Sequence, residues 1–195
     1  MRRRAFLPGV LSTGMLLAGC RSAEPLYYTL APRPGTDVGT GAGPGPKLVE
    51  LRRIGIAGYL DRPEIVRNGG DYRLRIAAGE RWGESLGDLV ARVLAEDLNT
   101  RLPGSSVFTS AGSISATPDA TVELDLQRFD PDASGQVVLL AQVAVSRERS
   151  RSRAVAQTVR LVVTPTGPAT TELVAAMSTA LGQLADRIAP MLRGG

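Results

Sequence analysis

Three consecutive stretches between residues 120 and 163 place an apolar side chain at every second position, and a stripe of helical period flanks them on either side. Val122, Leu124 and Leu126 alternate in 120–129. Val137, Leu139, Ala141, Val143 and Val145 do so in 136–146, and Val155, Val159, Leu161 and Val163 in 154–163. A period of two is that of a strand with one buried face. Asp130-Pro131-Asp132-Ala133-Ser134-Gly135 is made of turn formers, so the three stretches predict two successive hairpins in an antiparallel part of a sheet. In 84–102, Leu86, Leu89, Val90, Val93, Leu94, Leu98 and Leu102 recur at steps of three and four. Leu173, Met177, Ala180, Leu181, Leu184, Ile188 and Met191 do the same in 170–192. Each set lines one face of a helix that needs a sheet to bury it. Asp88, Arg92 and Glu96 stand on the outer face of the first helix at i, i+4 spacing. Further strands are expected at 26–30, 48–56 and 72–77, the last with Tyr72, Leu74 and Ile76 on one face, and a turn at 59–63. The expected fold class is α/β: a single domain with a mixed parallel/antiparallel sheet packed by two main helices.

The first twenty residues follow other rules. Arg2, Arg3 and Arg4 precede an apolar run over 5–18 that is shorter than the roughly 20 residues a spanning helix needs. Leu17-Ala18-Gly19-Cys20 closes it with small residues before the chain's one cysteine. This is the layout of a secretory signal, and its end resembles a bacterial lipobox. The resemblance implies removal of residues 1–19, acylation of Cys20 and a lipidated tether at 20–25, with the domain occupying 26–195. Several acyl chains anchor a protein stably where one does not. No cofactor is expected beyond that covalent lipid. Residue 21 is Arg rather than the Asp that favours inner-membrane retention, which points to the periplasmic face of the outer membrane, with the inner membrane as the alternative.

Removing the leader takes three arginines from a formal charge of +4, leaving +1, so nucleic acid is not the expected partner. With no histidine and one cysteine, the chain lacks serine–histidine and cysteine–histidine pairs and the usual zinc ligand sets. Lys47 is its only lysine, and no carboxylate spacing selects a reaction class. The chain does not read as an enzyme. Residues 33–46 are dense in Gly and Pro but lack the Gly-Lys-Ser/Thr of a phosphate loop.

Two stretches, Tyr59-Leu60-Asp61-Arg62-Pro63-Glu64-Ile65-Val66-Arg67 and Glu80-Arg81-Trp82-Gly83-Glu84-Ser85-Leu86, resemble the signature segments of the PqiC-like family of ABC-type transport auxiliary lipoproteins. Tyr27-Tyr28-Thr29-Leu30 and Val93-Leu94-Ala95-Glu96-Asp97-Leu98 match that pattern in the same order; Gly83 departs from it, standing where alanine is expected, and 104–116 has no counterpart. The resemblance implies a docking or receiving component of a system that moves phospholipid or other hydrophobic molecules between the inner and outer membranes. Its partners would be an MCE-domain periplasmic protein and, through it, an ABC permease and ATPase. Two alternatives remain: an assembly lipoprotein of another outer-membrane complex, and a lipid carrier with an apolar hollow of its own. Self-assembly into a ring would suit a piece that meets a symmetric partner.

Two groups of residues are candidate contact sites. Tyr59, Leu60, Asp61, Arg62 and Pro63, with Glu80, Arg81 and Trp82, combine amphipathic aromatics with charges; they either brace the loop against the helix start or meet a partner or lipid. Arg147, Arg149, Arg151 and Arg153 crowd a hairpin tip with a single Glu148. They either meet anionic headgroups or an acidic partner, or guard a sheet edge by charge.

Overall fold

The computed structural model describes residues 24–35, 45–147 and 154–194. The expected leader, Cys20, Arg149, Arg151 and Arg153 lie outside the described residues.

Among the described residues, nine strands and two helices follow in chain order: β1 (Leu26–Tyr28), β2 (Leu48–Leu51), β3 (Gly55–Ile56), β4 (Glu64–Asn68), β5 (Leu74–Trp82), α1 (Leu86–Arg101), β6 (Ser106–Thr109), β7 (Ala120–Pro131), β8 (Val137–Arg147), β9 (Val155–Val163) and α2 (Thr170–Arg193). The larger sheet has the order β6-β2-β7-β8-β9, with β3 also paired to β7. Its β6, β2, β3 and β7 pairings are parallel, and β7-β8-β9 is the expected antiparallel pair of hairpins. A smaller sheet has the order β1-β5-β4, β1 parallel and β4 antiparallel to β5. The α/β class with a mixed sheet and two main helices is what the alternating and helical periods predict.

The alternation of β7 and β8 separates two faces. Val122, Leu124, Leu126, Leu139, Ala141 and Val143 are buried, while Glu123, Asp125 and Gln142 are exposed. α2 packs across β7, β8 and β9, and α1 lies against α2 and β6. Ser85 starts α1 by accepting the Asp88 backbone N–H at 3.2 Å, a cap worth about 1 kcal/mol. Pro103 and Gly104 (φ 87°) end it.

The structure departs from the sequence reading in four places. The single strand expected at 48–56 is two, because the register against β7 slips: Leu51 lies opposite Val122, but Gly55 lies opposite Asp125. One extra residue in 52–54 absorbs the slip, as in a bulge. A Cβ at Gly55 would stand 2.7 Å from an Asp125 carboxylate oxygen, so glycine lets the strands close again. The strand expected at 72–77 begins instead at Leu74 and runs on to Trp82, because Gly70, Asp71 and Tyr72 all take positive φ and form the hairpin turn. β4 escapes a period-two reading because Ile65 and Val66 are both buried. β6 is only four residues long. It is fixed from α1 by Asn99, whose amide nitrogen donates to the Val107 carbonyl at 3.0 Å and whose oxygen accepts the Val107 N–H at 2.8 Å.

After β1 the chain crosses the helices as an extended strap, residues 29–35. Leu30 is buried beneath it. The Ala31 N–H donates to Ser178 Oγ at 3.2 Å, and the Arg33 N–H to Asp97 Oδ1 at 2.7 Å.

Candidate functional site

The two signature stretches meet. The Trp82 N–H donates to the Pro63 carbonyl at 2.7 Å, Glu64 lies opposite Arg81 across β4–β5, and the Gly83 N–H donates to the Tyr28 carbonyl at 2.9 Å. Arg62 N–H to Leu60 carbonyl (2.9 Å) and Leu60 N–H to Ala57 carbonyl (2.8 Å) hold the 59–63 turn. The two hydrophobic candidates face inward: Leu60 is 2% and Trp82 4% exposed. In this conformation both side chains belong to the core rather than to a contact surface. Burying a side chain as large as Trp82 is worth several kcal/mol, by the usual cost of truncating it.

The charges pair differently from a simple Asp61, Arg62, Glu80 and Arg81 cluster. Arg81 lies 3.6 Å from Glu64, and Arg67 3.8 Å from Glu80. Thr170 Oγ1 at the start of α2 donates to Glu80 and accepts from Arg67 Nη2 at 2.7 Å. Arg81 thereby joins β5 to β4 within the small sheet, and Glu80 ties that sheet to α2. Asp61 and Pro63 are exposed and Arg62 half-buried, so these three remain the accessible part of the stretch. Tyr59 donates its hydroxyl to Asp130 Oδ1 at 3.0 Å; Asp130 is 1% exposed and also accepts Arg128 Nε at 3.2 Å. Burial, reinforced by the Asp130 charge, pushes the Tyr59 hydroxyl well above the usual phenol range, so it stays a donor. Burial would depress Arg128, but the bonds to Asp130 outweigh it and raise its pKa.

Arg147 reaches the other end of the molecule, where Nη2 donates to the Leu192 carbonyl in the last turn of α2. A cation at a helix C-terminus is a stabilising position. Arg147 therefore has a structural partner.

The hollows around these residues are open grooves. One, about 620 Å³, lies on the face of the larger sheet away from the helices, between Glu50, Arg52, Glu123, Asp125, Gln142 and Ala144. Arg52 spans it in an ion pair with Glu123. A second, about 320 Å³, runs beside it past Arg53, Asp61, Ser85 and Asp88. The first mixes these charges with the apolar Leu124, Val143, Ala144 and Ala156, and the second sets Arg53, Asp61 and Asp88 beside Ile54, Ile56 and Ala91. Among the described residues no group of three or more His, Cys, Asp or Glu is placed to hold a metal, and no helix is long and apolar enough to cross a membrane.

One polar centre was not singled out by sequence. Arg101 is 1% exposed; Nε donates to Asp186 Oδ1 at 2.6 Å, Nη2 to the Gly182 carbonyl at 2.9 Å, and Nη1 to the Asp97 and Arg33 carbonyls at 2.9 and 3.1 Å. Asp97, fully buried, lies 3.6 Å from Arg101 Nη1 and accepts the strap through Arg33. Burial raises the Asp97 pKa, against the opposing pull of the Arg33 N–H and the Arg101 charge. Its signal in the sequence is an arginine three residues after Leu98, on the buried stripe of α1.

Comparison with known proteins adds to this geometry. The model of the family described as ABC-type transport auxiliary lipoprotein component matches residues 28–189. Two solved structures share the fold. A Xanthomonas campestris protein of the DUF330 family has a TM-score of 0.71 at 15% identity, covering 86% of this chain and 94% of its own. An uncharacterized protein has a TM-score of 0.70 at 18% identity, covering 86% of this chain and 98% of its own. None of the curated proteins matches the sequence.

Proposed function

The chain belongs to the family of ABC-type transport auxiliary lipoprotein components, and from that premise we propose that it is the membrane-anchored docking piece of a system moving phospholipid or other hydrophobic molecules between inner and outer membranes. In this reading residues 1–19 are removed and Cys20 carries the lipid. The domain then sits on the periplasmic face of the outer membrane and meets an MCE-domain protein, which links it to an ABC permease and ATPase.

The observation that supports docking over lipid carriage is the packing of the described core. Leu51, Leu89, Leu94, Leu126, Leu139 and Leu184 are each 0% exposed and belong to one continuous apolar core spanning both helices and the larger sheet. The grooves outside it are open to water and carry charged side chains beside apolar ones. An acyl chain needs an apolar hollow of several hundred Å³ closed to water. Paired carboxylates and guanidinium groups suit a protein surface better. Asp61 and Arg62, the charged residues among the accessible ones of the 59–63 turn, are the first candidates for that contact.

Crosslinking in intact envelopes followed by affinity purification of the lipidated protein tests the reading. An MCE-domain protein, a permease and an ATPase are the expected co-purifying proteins, reduced in an Asp61→Arg/Arg62→Glu variant. Recovery of intact, outer-membrane protein without any of the three would overturn it.

A further inference from the structure

The smaller sheet carries most of the large apolar side chains that the described surface exposes. Leu26 is 62% exposed, Tyr27 65%, Tyr72 110%, Leu74 47% and Ile76 47%. The last three crowd the tip of the β4–β5 hairpin with Arg73 and Arg75, also exposed. The tip is built to project. Gly69 N–H donates to the Arg73 carbonyl at 2.8 Å and Arg73 N–H to the Gly70 carbonyl at 2.9 Å, closing a turn in which Asp71 (φ 48°) and Tyr72 (φ 61°) take left-handed backbone. A bulky aromatic is uncommon there, and such strain collects where a side chain must be presented.

The register of β1 says what the tip is presented to. β1 runs parallel to β5, with Leu26 opposite Glu80 and Tyr28 opposite Trp82. The chain leading into Leu26 therefore comes from the side of the tip. Cys20 precedes Leu26 by six residues, and Leu74 precedes Glu80 by six. At ~3.3–3.6 Å per residue, six residues reach at most about 20 Å, so a lipid on Cys20 would hold Leu26 within about that distance of the bilayer, with the tip on the side from which the chain arrives.

We propose that the β4–β5 tip, through Tyr72, Leu74 and Ile76, dips into the lipid leaflet that holds the N-terminal anchor; this rests on the lipoprotein reading above. Tyrosine suits the boundary between headgroups and acyl chains. Arg73 and Arg75 can lay their stems along apolar lipid with their guanidinium groups at anionic headgroups, where Asp71 is the one opposing charge in the turn. The tip would fix the tilt of the domain, so that the 59–63 turn and the charged grooves are held at a set angle to the bilayer.

Tyr72→Trp in the full lipidated protein provides the probe, since the only native tryptophan, Trp82, is buried. The protein is reconstituted in vesicles of phosphatidylethanolamine and phosphatidylglycerol, with and without acyl chains brominated near the headgroup, and the mass of its N-terminal peptide is read from the same preparation. The expected result is acylated Cys20, a blue-shifted emission from the added tryptophan, and loss of about half of that emission to bromine, with the wild-type signal little changed. Acylated protein whose added tryptophan stays open to iodide would overturn the tip contact and leave the lipoprotein reading standing. A blue shift without bromine quenching would mean that protein covers the tip, which also overturns it. A Cys20 without acyl groups would sink both readings.

Discussion

The strap and the hairpin tip break the usual rules of burial in opposite directions. At the strap, Arg101 and Asp97 are charged and almost fully buried, yet every donor group of Arg101 finds an oxygen and the backbone of 31–33 is clamped onto the helices. At the tip, Tyr72, Leu74 and Ile76 are apolar and exposed, on a turn held in left-handed backbone. A buried guanidinium fully met by acceptors specifies where a segment lies, because removing one partner strands the others. An exposed apolar cluster contributes little to folding and gains only from what it touches outside the chain. The first region therefore serves the structure of the domain itself, and the second serves its surroundings.

Substitutions can break or sharpen that contrast. Arg101→Ala should have the largest effect, a loss of about 3–5 kcal/mol in chemical denaturation, because the Asp97 and Asp186 carboxylates and three carbonyls lose the guanidinium they share. A loss below about 1 kcal/mol would mean that water already serves this cluster. Gly182→Ala follows, at about 1–3 kcal/mol: the new methyl would stand 2.8 Å from Arg33 Cβ, a stiff part of the strap, and protease cleavage within 29–35 should quicken with it.

Asp97→Asn sharpens the comparison through pH. Burial holds the Asp97 carboxyl above its ordinary value, so folding takes up a proton there and the group's contribution falls as pH rises through the raised pKa. Thermal melts should show wild type gaining on the asparagine variant as pH drops from about 7 toward about 4, the ordinary carboxylate value. Equal slopes for the two proteins would remove Asp97 as their source. The smallest change belongs to the tip: Leu74→Ser with Ile76→Ser should leave the unfolding free energy within about 0.5 kcal/mol, as for surface sites without special contacts. A loss several times larger would make the tip part of the fold rather than of its outer contacts.

What could be read from the sequence follows the length of the pattern. β7, β8, β9 and both helices each carry at least three repeats of alternation or stripe, and the structure places them within a few residues of the expected bounds. β4 and β6 carry no such pattern; β6 depends on a side-chain bond from Asn99 of α1 to the Val107 backbone, which leaves no periodic trace. The split between β2 and β3 arises from pairing with β7 more than sixty residues later. At the candidate site, the two signature stretches were legible as segments, but neither their meeting nor the direction in which Trp82 points was: the same amphipathic ring suits a wet edge or a core, and only its 4% exposure decides. The partners of Glu80 and Arg81 came from Arg67 and Glu64 because β4 itself was not visible.

The course of the strap has a mechanical consequence. A pull on the N-terminus along the strand axis loads β1 in shear against β5, so that its backbone bonds share the tension instead of opening one at a time. Whatever passes β1 is next met by the clasp of Arg33 on Asp97 and by Arg101 on the Arg33 carbonyl, before it can reach β2 and the larger sheet. A domain tugged between a bilayer and a moving machine would thus yield last where its central sheet is.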